Sequence, residues 1–308
     1  MAAHDFQASL QTPPIAHKIP APNLAFTANT FAALQNYLQQ LADSLHAEIA
    51  VAYRDLQTGR EFFFHERQMM HAASTMKVPV MLEVFRQAEA GKFGIDDSLA
   101  VKNEFNSIVD GSPYRLDLSD DSDSTIYRAI GTKLTIRQLV EQMITVSSNL
   151  ATNILIEKVG AENVMATLRA LGAKNMQVRR GVEDAKAYQR GLNNQTDAFD
   201  LMLTLQSLAE KRAAAAAACD TMLAILQRQK FRNGIPAGLP PGTVIANKTG
   251  WITGMTHDAA IVFPPKTILP NTPRRPYVLV ILTKGIQEEK TAHRVIAAIS
   301  RKIYAGLI

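Results

Sequence analysis

Cysteine is almost absent: Cys219 is the single one in 308 residues. An internal disulfide framework is therefore excluded, and the setting of Cys219 after the run Ala213 to Ala218 reads as a small helix-packing residue. Aromatic side chains make up only 6% of the chain. With basic residues scattered along a chain of net charge +5, that argues against a nucleic-acid groove, which needs clustered cations and stacking platforms. No apolar run reaches the 18 residues of a membrane-spanning helix. The first 27 residues contain Pro13, Pro14, Pro20 and Pro22 but no apolar core, and read as a flexible leader, not a signal peptide. His65-Glu66 and His71 resemble a loosened zinc motif, but histidines six apart fall on different helix faces. No G-x-S-x-G elbow, phosphate-cradling glycine loop or internal repeat occurs.

What remains is a chain that is 47% hydrophobic and long enough to bury a sizeable core. Phe31, Leu34, Leu38 and Leu41 recur at helical spacing. Ile49 to Tyr53 and Arg60 to Phe64 read as strands about a turn at Gln57-Thr58-Gly59. From Ser74 to about Gln229 the pattern is largely helical. Thr135 and Gln138 form a capping box ahead of Ile136, Leu139, Val140, Met143 and Ile144. Asn149 is placed to cap the next helix, which stops at Gly160, and another stops at Gly172. Asp110 to Asp123 is an acidic loop. Strands return over Val244 to Gly250, Asp258 to Phe263 and Tyr277 to Thr283, and a helix from about Glu288 to Tyr304 follows. Strands at both ends with helices between predict an α/β (α+β) sandwich, an antiparallel sheet flanked by helices with an all-helical insertion. The boundaries are 28–66 with 236–308 for the sheet domain and 67–235 for the insertion, with a cleft between them.

The most informative stretch is Ser74-Thr75-Met76-Lys77. On a helix the i,i+3 relation sets Ser74 and Lys77 on one face, Cβ atoms roughly 5–6 Å apart. A hydroxyl becomes a nucleophile only when a neighbour takes its proton, and a desolvated amine does so. Met76, Val78 and Val80 around Lys77 imply that desolvation. Val146-Ser147-Ser148-Asn149 and Asn247-Lys248-Thr249-Gly250-Trp251 follow. The order S-x-x-K, S-x-N, K-T-G resembles the penicillin-recognising serine acyltransferases, and over roughly residues 28 to 306 the spacing is similar to class A β-lactamases.

The resemblance implies a hydrolase that opens β-lactam rings through a Ser74 acyl-enzyme, with Lys77 or Glu183 as the acylation base and no metal or organic cofactor. Ser147 would pass a proton to the leaving nitrogen and Asn149 would bond the substrate amide. Lys248 and Thr249 would seat a carboxylate, and Gly250 would let the backbones close. The N–H groups of Ser74 and Trp251 would form an oxyanion hole. Glu183 would activate the deacylating water and Asn153 would hold that glutamate. The chain departs from the family at three places. Ser148 replaces the usual Asp of the second motif. Ala187 stands where a water-binding Asn is expected, so Asn193 or Asn194 is the substitute from further along the loop. His257 stands where many relatives carry a carboxylate-binding Arg, as a secondary contact. Alternatives on the same scaffold are a D-Ala-D-Ala peptidase, a small-ester hydrolase, or a penicillin-binding protein that stays acylated. The implied partner is a small β-lactam or acyl-D-Ala-D-Ala molecule taken up by a monomer, in the periplasm or secreted; with no signal peptide visible, a cytoplasmic relative is the alternative.

Overall fold

The computed structural model describes residues 28–265 and 275–306; the leader read from residues 1–27 lies outside them. Helix α1 (Ala28–Leu45) leads into the hairpin β1 (Glu48–Asp55) and β2 (Glu61–Phe64). Helices α2 (Lys77–Glu89), α3 (Ile136–Thr145), α4 (Asn149–Val159), α5 (Ala161–Ala170), the short α6 (Ala185–Gln189), α7 (Ala198–Ala209) and α8 (Ala216–Gln227) follow. Strands β3 (Val244–Ile252), β4 (Met255–Phe263) and β5 (Tyr277–Lys284) then precede α9 (Glu289–Gly306).

These five strands form one antiparallel sheet in the order β2-β1-β5-β4-β3. The first hairpin is completed by the last strand, with Glu48 opposite Lys284 and Asp55 opposite Tyr277. Period-2 alternation gives the sheet two apolar faces. Ile49, Val51, Tyr53, Leu279 and Ile281 cluster with Leu38 of α1 and Ile299 of α9. Ala50, Ala52, Val278, Val280 and Leu282 belong instead to the cluster that runs through the helices. The sandwich and the antiparallel sheet match the sequence expectation.

Helix α2 lies at the centre of the second cluster: Val78, Val80, Met81, Leu82, Val84 and Phe85 are all buried. Each such side chain contributes roughly 1.5–3 kcal/mol by leaving water. The first residues of α2, Lys77 to Leu82, are buried on every side, so Lys77 at the first position is fully buried with them.

Four local details differ from the expectation. Ser74 does not open an α-helix but sits in a 3₁₀ turn, Ala73–Met76, ahead of α2. The cap of α4 is Ser148, whose hydroxyl accepts from Ala151 N–H, and Asn149 is the first helical residue. Strand β4 starts earlier, at Met255. The region from 74 to 229 also contains short antiparallel pairs, Ser98–Ala100 with Lys133–Thr135 and Phe105–Asn106 with Pro113–Tyr114. A further pair, Met70–His71 with Gln195–Thr196, positions the site. It ties the approach to Ser74 to the end of the loop that carries Glu183, reinforced by Ala72 N–H donating to Asn194 O at 2.8 Å.

Candidate active site

Two lobes of one cleft meet at Ser74. The larger, of about 580 Å³, is lined by Ser74, Asn149, Glu183, Arg180, His71 and Trp251 among others. The smaller, of about 320 Å³, is lined by Ser74, Ser147, Asn149, Thr249, Gly250 and Trp251 among others. Trp251 borders both and is 52% exposed, so its ring stands at the rim.

Edge strand β3 closes directly on the Ser74 turn. A Cβ built on Gly250 would lie 3.1 Å from Ser74 N and 3.1 Å from Ala73 Cβ. Only a residue without a side chain fits there unstrained. The contact brings the Ser74 and Trp251 stretches of backbone together at the junction of the lobes.

Behind Ser74 lies a chain of polar groups. Lys77 Nζ donates to Ser147 O at 2.5 Å, Ser147 Oγ at 3.2 Å and Asn149 Oδ1 at 2.8 Å. Lys248 Nζ reaches the same Ser147 Oγ at 2.9 Å and Thr249 O at 2.9 Å. Both amines are fully buried. Burial pushes Lys77 down to about 7 against the pull of Asp121 and Glu183. Burial and the Lys77 charge together push Lys248 well below the ordinary lysine range, against Asp258. Two ammonium groups about one hydroxyl repel each other, so proton sharing between them is the expected state. No hydrogen bond joins Ser74 Oγ to Lys77 among the described residues.

Asn149 connects this chain to Glu183: its Nδ2 donates to Glu183 Oε1 at 2.7 Å while its Oδ1 accepts from Lys77. Burial raises the Glu183 carboxyl above the usual range. The Asn149 amide and Asp117 N–H oppose that, and the charges of Asp121 and Asp120 add to it. Asn153 pins the backbone just before Glu183, accepting from Val182 N–H at 2.7 Å and donating to Val182 O at 3.0 Å. A Cβ at Gly181 would meet Asn153 Oδ1 at 2.4 Å, so this approach also depends on glycine. Three non-glycine residues of the site adopt left-handed backbone: Ala73 (φ 45°), Ser147 (φ 60°) and Glu183 (φ 62°).

A family model described as the beta-lactamase enzyme family matches residues 33–307. The chain belongs to that family. It is 24% identical over 292 residues to a beta-lactamase of Citrobacter koseri, a match that spans 93% of this chain and 92% of the relative. The match to beta-lactamase PSE-4 of Pseudomonas aeruginosa is also 24% identical but covers 168 residues, about half (54%) of each chain. Among solved structures, a beta-lactamase from Sphaerobacter thermophilus superimposes with a TM-score of 0.75 at 24% identity, over 91% of this chain and 97% of that one. PBP-A superimposes with a TM-score of 0.73 at 24% identity, over 89% and 95%. A mutant of PBP-A has been solved as an acyl-enzyme complex with penicillin G. At this identity the superpositions establish a shared fold.

The departures from the beta-lactamase pattern resolve individually. His257 is 1% exposed and does not line the cleft, which corrects the expectation of a substrate contact. Its Nε2 lies 2.9 Å from His71 O, and its Nδ1 accepts from Thr283 N–H at 3.3 Å. The segment carrying His71 therefore covers it. His71 itself accepts from Ala73 N–H through Nδ1 at 3.0 Å, which braces the Ser74 turn, and burial with the Arg180 charge pushes it down to about 4.

Ala187 is fully buried, its N–H bound to Asp184 Oδ1 at the start of α6, and it faces the interior. Neither asparagine replaces it. Asn194 lines the larger lobe but spends its amide on the Arg179 and Arg180 backbone, while Asn193 lines neither lobe and its Oδ1 accepts from Arg180 Nη2. Arg180 also donates to Leu192 O and Gly181 O, closing the neck of the Glu183 loop with neutral acceptors. Ser148, in place of Asp, receives its carboxylate from elsewhere. Asp121 accepts from Asn149 N–H through both oxygens at 2.9 Å and from Leu150 N–H at 2.9 Å, and it accepts from Ser148 Oγ at 3.4 Å. Sequence reading passed over Asp121, Arg180 and His71 as site residues. The acidic loop was its only signal for the first.

Proposed function

We propose that this protein is a serine hydrolase that opens β-lactam rings through an acyl-enzyme on Ser74. The observation that carries the reading is the Lys77–Asn149–Glu183 connection, whose central residue Asn149 lines both lobes. It sets an amine of lowered proton affinity and a carboxylate of raised proton affinity on opposite arms of one amide beside Ser74. Titratable groups pushed toward neutral pH from both sides suit general base and acid work.

In the reaction, Ser74 Oγ attacks the lactam carbonyl and its proton passes to Lys77, or through water to Glu183. Binding of substrate has to complete the Ser74–Lys77 contact, since catalytic hydrogen bonds tighten in the complex. The oxyanion is held by Ser74 N–H and Trp251 N–H, a role supported by the close packing of Gly250 on Ser74. The C–N bond of the ring breaks as the Ser147 hydroxyl gives its proton to the nitrogen. Ser147 regains a proton from Lys77 or Lys248, both within reach of its oxygen. The substrate carboxylate occupies the smaller lobe against Thr249, with the buried Lys248 acting from behind it through Ser147. Water deprotonated by Glu183 then attacks the ester and frees Ser74. On this reading the sheet segments 28–66 and 236–308 and the helical segment 67–235 are the two walls of the cleft.

A second reading is favoured by Ala187, by the occupied amide of Asn194 and by the position of Asn193 outside both lobes. Without a side-chain amide to help hold the water, the protein acylates and releases slowly, as a penicillin-binding relative or a peptidase does. One experiment separates the two: excess benzylpenicillin, with intact mass followed beside lactam absorbance. Return to the free mass as the lactam disappears supports the hydrolase. A persistent adduct lost in Ser74→Ala supports the second reading. No adduct and no turnover rejects both.

A further inference from the structure

We propose that Asp121 is a positioning residue of this site, fixing the start of α4 that presents Asn149 and setting a carboxylate whose charge acts on the Lys77 amine. The assignment to catalysis rests on the function proposed above; the geometry does not. Asp121 lines the smaller lobe and is partly buried, and its two oxygens take up Asn149 N–H, Leu150 N–H and the Ser148 hydroxyl. The first N–H groups of a helix have no partner within it, and a carboxylate there is favoured by both hydrogen bonding and the helix dipole. Asn149 is the residue whose amide links Lys77 to Glu183. Tilting its backbone would move both contacts together.

Charge adds a second effect. The charged groups that act on Lys77 are Asp121, Glu183 across the cleft, and Lys248 from β3, which is itself countered by Asp258. Of the two carboxylates that hold the proton on Lys77, Asp121 exerts the larger effect. Removing that charge makes the amine less basic. Asp121 is thus a carboxylate, brought in from 27 residues upstream of the serine it assists, at a helix start whose own capping residue is uncharged.

The test reads the proton on Lys77 directly, without a β-lactam. Lysine labelled with ¹³C at Cε is titrated by NMR in the wild type, in Asp121→Asn, and in Asp121→Asn combined with Ser148→Asp; Lys77→Arg assigns the signal. The expected result is a Lys77 midpoint lowered by roughly one pH unit in Asp121→Asn. In the double variant, which returns a carboxylate to the helix start, it moves back toward the wild-type value. At pH 8.5, where Lys77 is neutral in every variant, acylation by benzylpenicillin should fall about tenfold or more in Asp121→Asn through the displaced Asn149 and recover in the double variant. An unmoved midpoint in a folded Asp121→Asn, or a double variant that restores stability but not the midpoint, overturns the proposal. Should Asp121→Asn not fold, the double variant decides alone: a wild-type midpoint supports the proposal, a displaced one overturns it. A wild type that never acylates removes the proposed function but leaves the titration result standing.

Discussion

Acylation should follow the protonation of Lys77, and the structure gives the slope. Burial brings the amine down to about 7, so the neutral fraction rises from about one-tenth at pH 6 to about nine-tenths at pH 8. The rate of adduct formation on Ser74 should therefore climb roughly tenfold over that interval if Lys77 takes the proton. The clean background is Glu183→Gln, which removes the competing base and blocks deacylation, so that each turnover stops as a countable adduct. Because the Glu183 charge helps hold the proton on Lys77, its loss should also displace the limb slightly to lower pH. Rapid quench with intact mass at pH 6, 7 and 8 measures it. If acylation in Glu183→Gln drops by the 10²–10⁴ typical of a lost general base, or if the limb vanishes, Glu183 is the acylation base and the argument from Lys77 burial is refuted.

Stability should carry the same proton. The folded-state value of Lys77 lies below its unfolded value, so the unfolded chain binds the extra proton between about 7 and 10.5. The contribution of this group to stability therefore rises with pH across that window. Urea unfolding of wild type and Lys77→Met at pH 7 and pH 9 should show the difference shifting in favour of the wild type at the higher pH; an unchanged difference contradicts the assignment. Gly250→Ala inserts a methyl 3.1 Å from Ser74 N and should slow acylation at least tenfold with little change in the unfolding midpoint, as read by nitrocefin kinetics beside thermal melts. Asn153→Ala removes both side-chain bonds to Val182 and should cost about 1–3 kcal/mol. It should also lengthen the adduct lifetime more than it slows adduct formation. Ala187→Asn should destabilise by about 1–3 kcal/mol without speeding deacylation, because Ala187 points into packed interior.

The three motifs were legible because each is local: S-x-x-K needs one helical turn, S-x-N one helix junction and K-T-G one strand, and order along the chain links them. The sheet was legible from short apolar runs, since β1 and β5 bury residues on both faces. The contacts between motifs were not. Nothing in the spacing says that Asp121 reaches Asn149, or that His71 caps Ala73. His257 was misjudged for a related reason. Its strand position opposite Gly250 is right for the cleft, but whether that face is open depends on the Met70–His71 segment, which pairs with residues more than 120 positions away. Asn193 and Asn194 looked available only because Arg180, their partner across the loop neck, carries no sign of its burial in the sequence.

The left-handed backbones of Ala73, Ser147 and Glu183 lie on three separate loops that converge on one cleft. Conformations of this kind cost non-glycine residues of order 1 kcal/mol each, and persist only where the surroundings hold them. None of the three loops can therefore keep its working shape by itself. Each is held by contacts whose other half comes from a different part of the chain: Asn194 for the first, through Ala72 N–H, Lys77 and Lys248 for the second, Asn149 and Asp117 for the third. The site should thus appear late and all at once in folding, as the last thing the chain completes. It should also be the first thing lost under mild denaturant, with activity disappearing while the sheet and its helices still give a native far-ultraviolet signal.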